Sequence, residues 1–159
     1  MNVYYNGNPN AQIGSNTNLF DFTYVGNLAQ AHLLAACALL RTFASSSLSS
    51  EDEKVDGEAF FVTNDEPMLF WDFSRAVFKG LGDKGEGKIR VFSQRTALLL
   101  AKVLRGVYGI AGKTPPLTEN LVWYCCMTAY FSNEKAKKRL GYEVEVPMTE
   151  AIERSVKVC

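Results

Sequence analysis

The chain has 159 residues, 47% of them hydrophobic and 21% charged, with 17 basic residues against 17 acidic ones. That length carries one domain with a real core and is too short for two large ones, and the composition excludes a disordered chain. A net charge of zero supplies no basic excess for a phosphate-binding surface, so no nucleic-acid partner is expected.

Residues 1–18 are rich in Asn and Gly and read as a loop-like N-terminal segment. The first twelve, MNVYYNGNPNAQ, are polar and form no signal peptide. From Asn18 to Val25 the sequence alternates Leu19, Asp21, Thr23 and Val25 with Phe20, Phe22 and Tyr24, the period of a strand. Asp21 in that run has to face solvent or find a partner. Gly26 ends the strand, Asn27 is placed to cap a helix, and the helix continues to about Thr42. Ala29, Leu33, Ala36, Cys37 and Leu40 share one face and are expected to pack. His32 on this helix has no acidic neighbour a turn away and reads as a packed or partly exposed side chain, not a base.

Residues 43–58 are Ser-rich and then acidic, a mobile surface loop. AFFVTN (59–64) reads as a short buried strand. Pro67 then opens a helix to about Gly80, and KIRVF (88–92) is a further strand. Helices are expected over about 94–111, 118–128, 133–140 and 148–158, with Tyr130 and Phe131 extended between two of them. Strand and helix alternate in α/β order, but two buried strands are too few for a parallel sheet, which needs partners on both sides. The chain looks like part of a sheet.

Gly80, Gly82 and Gly85 satisfy G-x-G-x-x-G, yet they follow a helix and precede a strand. A dinucleotide turn requires the reverse order, so this stretch is a helix C-cap and turn. Cys37, Cys125, Cys126 and Cys159 form no C-x-x-C pair and read as reduced, mostly buried thiols in a reducing compartment. No run of 18 apolar residues is present, so no spanning helix is expected. On a helical wheel over 94–113, Leu99, Val103, Leu104, Val107, Ile110 and Ala111 cover one broad face. Arg95, Lys102, Arg105 and Lys113 form a stripe opposite. Such a helix packs on a core with its cations in water, or lies at a membrane interface through Arg95, Lys102 and Arg105.

Three blocks, NLFDFTYVGNLAQAHLLAA, GEAFFVTNDEPMLFWDFSRAVFKGLG and AYFSNEKAKKRLGYEVEVPMTEAI, resemble the C-terminal half of the 3-beta-hydroxysteroid dehydrogenase/isomerase family. The resemblance runs from about Ile13 to the end of the chain. It implies an α/β fold: residues 19–159 are the C-terminal substrate-binding part of an extended short-chain dehydrogenase of Rossmann type, lacking most of the parallel sheet. It also implies an NAD(P)-dependent oxidation of the 3-hydroxyl of a 4-carboxysterol, followed by loss of carbon dioxide, on the cytosolic face of the endoplasmic reticulum membrane. Related epimerases usually carry an Arg where this chain has Phe20. Phe20, Phe22 and Tyr24 are therefore placed near an apolar sterol, with plain strand packing as the alternative.

The family's catalytic Tyr-x-x-x-Lys is not found: none of the seven tyrosines has Lys four residues later. No catalytic residue, cofactor-binding residue or metal ligand is assigned. The chain then reads as a portion of the enzyme that is inactive alone, or as a non-enzymatic module binding sterol, membrane or a partner. The unpartnered AFFVTN strand predicts a marginal fold that associates through its sheet edge.

Overall fold

The computed structural model describes residues 10–44, 55–84 and 87–157, which divide into two compact units. One takes in the chain up to Phe20 together with Met68–Ala129, and the other holds Asp21–Pro67 and the chain from Tyr130 onward.

In the first unit, β1 (Ala11–Ile13) pairs in parallel with β4 (Arg90–Phe92), Gln12 opposite Val91. β2 (Leu19–Phe20) pairs antiparallel with β3 (Met68–Leu69). Three helices accompany them: α2 (Phe70–Gly80), α3 (Gln94–Ile110) and α4 (Glu119–Cys126). The Ser93 hydroxyl caps α3 by accepting from the Thr96 amide at 3.1 Å, and Thr118 caps α4 through the Leu121 amide at 3.2 Å. The core between α3 and α4 is Ala97, Ala101 and Val122, with Ile13, Leu98 and Leu117 packed on it. Beside it Phe20 meets Phe70 and Tyr124 edge-on, with ring centroids 5.6 and 5.0 Å away.

The second unit holds α1 (Val25–Ala44), α5 (Glu134–Leu140) and α6 (Met148–Lys157). Its core is Ala31, Ala38, Val55, Ala136, Leu140 and Tyr142. Buried amides secure it. Asn27 Nδ2 donates to Asn64 Oδ1 at 3.0 Å and to the Val146 carbonyl at 2.8 Å, while its Oδ1 accepts from the Val146 amide at 3.1 Å. Asn64 Nδ2 donates to the same carbonyl at 3.0 Å. The Tyr142 hydroxyl donates to the Thr63 carbonyl at 2.9 Å. Gly141 ends α5 at φ +69°, with the Gly141 amide on the Lys137 carbonyl and the Tyr142 amide on the Ala136 carbonyl. A Cβ is disfavoured in that left-handed backbone. Lys135 and then Arg139 hold the Glu58 carboxyl below its usual range.

Several expectations change. The strand over 18–25 shortens to Leu19–Phe20, and α1 begins at Val25, because the Leu28 amide already bonds the Tyr24 carbonyl. Asn27 thus lies inside the first turn, where its buried side chain bridges distant segments and does not cap the helix. The packed face of α1 is the opposite of the one expected. Asn27, Ala31 and Ala38 are buried, whereas Leu33 and Leu40 are 69% and 70% exposed and Ala29, Ala36 and Cys37 are exposed with them. AFFVTN forms no strand, since no described strand lies beside it. Its carbonyls accept from side chains, Val62 from Thr23 and Thr63 from Tyr142 and Asn133. β4 is exposed along its length. β1 sits where loop was expected, because its partner is 79 positions away and no local signal marks it (Ala11 opposite Arg90). In the 43–58 loop, Phe43 and Ala44 are helical and Val55 is buried in the core, and residues 45–54 lie outside the described ones, as do 1–9 and Cys159.

Other readings agree. Asp21 accepts from the Phe131 amide at 2.7 Å, His32 is exposed with Nδ1 2.8 Å from the Leu28 carbonyl, and Leu81 and Gly82 close α2 as a C-cap turn. Of the cysteines, Cys125 is buried and pushed up to about 11 by burial and by Cys126, but Cys37 is exposed.

Two predictions follow from this packing. Asn27→Ala strands the Val146 amide in the core, while Asn64 Oδ1 keeps the Tyr24 amide and the Val146 carbonyl keeps Asn64 Nδ2, and should cost about 2 kcal/mol, read as a lower urea midpoint. Cys37→Ser should remove one rapidly labelled thiol at pH 8 in a thiol-reagent assay, while Cys125→Ser leaves the rapid count unchanged.

Candidate functional site

The first unit contains a cleft of about 520 Å³ beyond the carboxyl ends of β1 and β4. Parallel strands release their chains in the same direction, so the residues following both converge on one edge, the place where α/β proteins bind ligands. After β1 come Gly14, Ser15, Thr17 and Asn18, and after β4 come Ser93 and Gln94, which open α3. Val91 and Cys126 complete the wall. The volume falls in the range of small-molecule pockets.

Local bonds explain the shape. The Gly14 amide extends the ladder to the Phe92 carbonyl at 2.9 Å. Gly14 has φ +79°, a left-handed backbone that favours glycine, and a Cβ there would crowd Cys126 Sγ at 3.0 Å. Ser15 and Thr17 hydroxyls lie 3.0 Å apart. The Asn18 side chain is buried and ties the turn to the end of α4 by donating to the Cys125 and Met127 carbonyls at 3.2 and 2.9 Å. Beneath, Trp71 Nε1 donates to the Ile13 carbonyl at 2.8 Å and Arg75 donates to Gln12 Oε1 at 3.1 Å.

The lining is rich in hydroxyls and amides, and none of the lining residues carries a carboxylate. Burial pushes the Cys126 thiol up, so it stays neutral near pH 7. These residues can hold and orient polar groups of a ligand, and none of them is poised as a general base. Among the described residues no cluster of His, Cys, Asp or Glu could hold a metal. Of the G-x-G-x-x-G glycines, Gly80 and Gly82 stand at the C-terminal end of α2, where carbonyls and not amides point outward, and Gly85 lies outside the described residues.

The residues picked from sequence fall elsewhere. Phe20 fills the aromatic cluster of the first unit. Phe22 and Tyr24 belong to the second, both half-buried, with the Tyr24 amide on Asn64 Oδ1 at 3.0 Å and its ring hydroxyl on Arg154. Arg95, Lys102 and Arg105 are exposed on α3. The cleft escaped sequence reading because its walls come from three distant stretches. The one available signal was Gly14 beside the Ser- and Thr-bearing turn that follows it.

Comparison with known proteins places the chain. The profile described as the 3-beta hydroxysteroid dehydrogenase/isomerase family matches residues 1–92, more than half of it. The decarboxylating sterol-4-alpha-carboxylate 3-dehydrogenase of Saccharomyces cerevisiae is 39% identical over 94% of this chain and 41% of its own length. The corresponding protein of Homo sapiens is 34% identical over 95% of this chain and 38% of its own. The 3beta-hydroxysteroid-dehydrogenase/decarboxylase isoform 2 of Arabidopsis thaliana is 38% identical over 91% and 25%. The chain thus spans about 40% of the length of the fungal relatives it matches. No solved structure matches it. The chain belongs to the 3-beta hydroxysteroid dehydrogenase/isomerase family of NAD(P)-using enzymes, whose fold is that of an extended short-chain dehydrogenase.

Proposed function

We propose that this chain is the C-terminal, substrate-side portion of a decarboxylating sterol-4-alpha-carboxylate 3-dehydrogenase of the endoplasmic reticulum, and is inactive alone. One observation carries the reading: nearly all of this chain aligns with about two fifths of such enzymes. The remainder of the enzyme then supplies the dinucleotide site, for which the described residues have no fitting turn. The exposed apolar face of α1 supports the same view, because a helix apolar on both sides calls for cover on both.

In this reading the cleft beyond β1 and β4 orients polar substituents of the sterol through Ser15, Thr17, Ser93 and Gln94. Phe20 backs the cleft from within the aromatic cluster of the same unit. The chain also associates readily, since Phe61 and Phe131, stacked 4.5 Å apart, remain half in water.

Titrating NADH into the 159-residue chain should produce no heat of binding. A chimera in which the chain replaces the matching part of the Saccharomyces cerevisiae relative should oxidise a 4-carboxysterol. In that chimera Val91→Trp, at an exposed position on the cleft wall, should raise KM for the sterol. Stoichiometric NADH binding by the chain alone would sink the proposal.

A further inference from the structure

α2 starts without a cap of its own: the residue before it is Leu69, whose side chain has no oxygen for the first amides. The turn after β1 supplies what is missing. The Asn16 side chain accepts from the Trp71 amide at 2.9 Å, and the Asn18 carbonyl accepts from the Phe70 amide at 3.3 Å. The helix in return holds the turn. Asn16 Nδ2 donates to Asp72 at 3.0 Å, and Asp72 pairs with Arg75, which donates to Gln12 Oε1. Gln12 Nε2 donates to the Gly14 carbonyl at 2.9 Å, and the Trp71 indole donates to the Ile13 carbonyl. Asn16 takes φ +55°, a left-handed backbone that Asn tolerates better than most side chains. Asn16 is thus tied back to α2 and Asn18 to α4, and the alternate residues Ser15 and Thr17 stay exposed on the cleft wall, their hydroxyls 3.0 Å apart. One hydroxyl proton is used within that pair, and the other is left to donate.

We propose that Asn16 and Trp71 are positioning residues: they fix the Ser15 and Thr17 hydroxyls for an oxygen of the bound sterol, so that the start of α2 sets the affinity of a cleft it does not line. The inference rests on the reading of that cleft as the sterol site. Two hydroxyls on a short turn offer a ligand little when the turn must be ordered at the moment of binding, and much when it is already held.

Two variants test it. Asn16→Gly keeps the left-handed backbone and removes both side-chain bonds. Trp71→Phe removes the indole donor and keeps an aromatic ring beside Phe70. In the full 159-residue chain each should speed hydrogen–deuterium exchange over residues 12–18 roughly tenfold, with exchange in α3 unchanged. In the chimera with the Saccharomyces cerevisiae relative each should raise KM for the 4-carboxysterol about fivefold at constant kcat. In a Ser15→Ala/Thr17→Ala background Asn16→Gly should leave KM where it is, because the hydroxyls it positions are gone. Unchanged exchange in both variants overturns the proposal, as does a fall in kcat at constant KM, or an Asn16→Gly effect on KM that persists without the two hydroxyls. Val91→Trp separates the inference from the reading beneath it. If Val91→Trp raises KM and Asn16→Gly does not, the positioning role alone is wrong; if neither does, the cleft is not the sterol site and both fall.

Discussion

Asn27, Asn64 and Val146 are joined by a closed set of hydrogen bonds, and the second unit is organised around it. Each buried amide would lose free energy on leaving water unless its donors and acceptors found partners. They find them only when the start of α1, the end of the AFFVTN stretch and the segment before α6 are brought together. Those three segments are 37 and 82 positions apart in sequence. The apolar contacts of Ala31, Ala136 and Tyr142 are not directional, so this polar knot sets the register in which they pack. It also explains why Tyr24 leaves the strand conformation, since its amide is taken by Asn64.

The first unit uses the same economy of polar side chains around its cleft. Asn18 holds the turn after β1 to the end of α4, Trp71 holds the end of β1, and Ser93 starts α3 at the mouth. The cleft therefore has a rigid floor and a hydroxyl-rich rim. A floor tied by buried hydrogen bonds suits a site that must present oriented donors to a ligand.

Both long helices are apolar on two sides, and each buries only one. α1 turns Leu33, Leu40 and Phe43 outward, and α3 turns out Leu99, Val103 and Ile110. Water on so much apolar surface is unfavourable by about 25 cal/mol for each Å². What differs is the border: cations line one edge of the α3 face, while small residues, Ala29 and Ala36, are interspersed on α1.

The sequence by itself determined the helices from α2 to α6 and the family. Periodicity, Ser93, Thr118 and Gly141 act within one or two turns, and the three family-like blocks need no tertiary context to be recognised. Tertiary structure alone decided which face of α1 is inside, that AFFVTN has no ladder, that Ala11–Ile13 is a strand, and where the cleft lies. A helix apolar all round does not say which side meets the core. A strand exists only beside another, and the partner of β1 lies far along the chain. The cleft joins Gly14, Ser93 and Cys126, a proximity that no spacing in the sequence encodes.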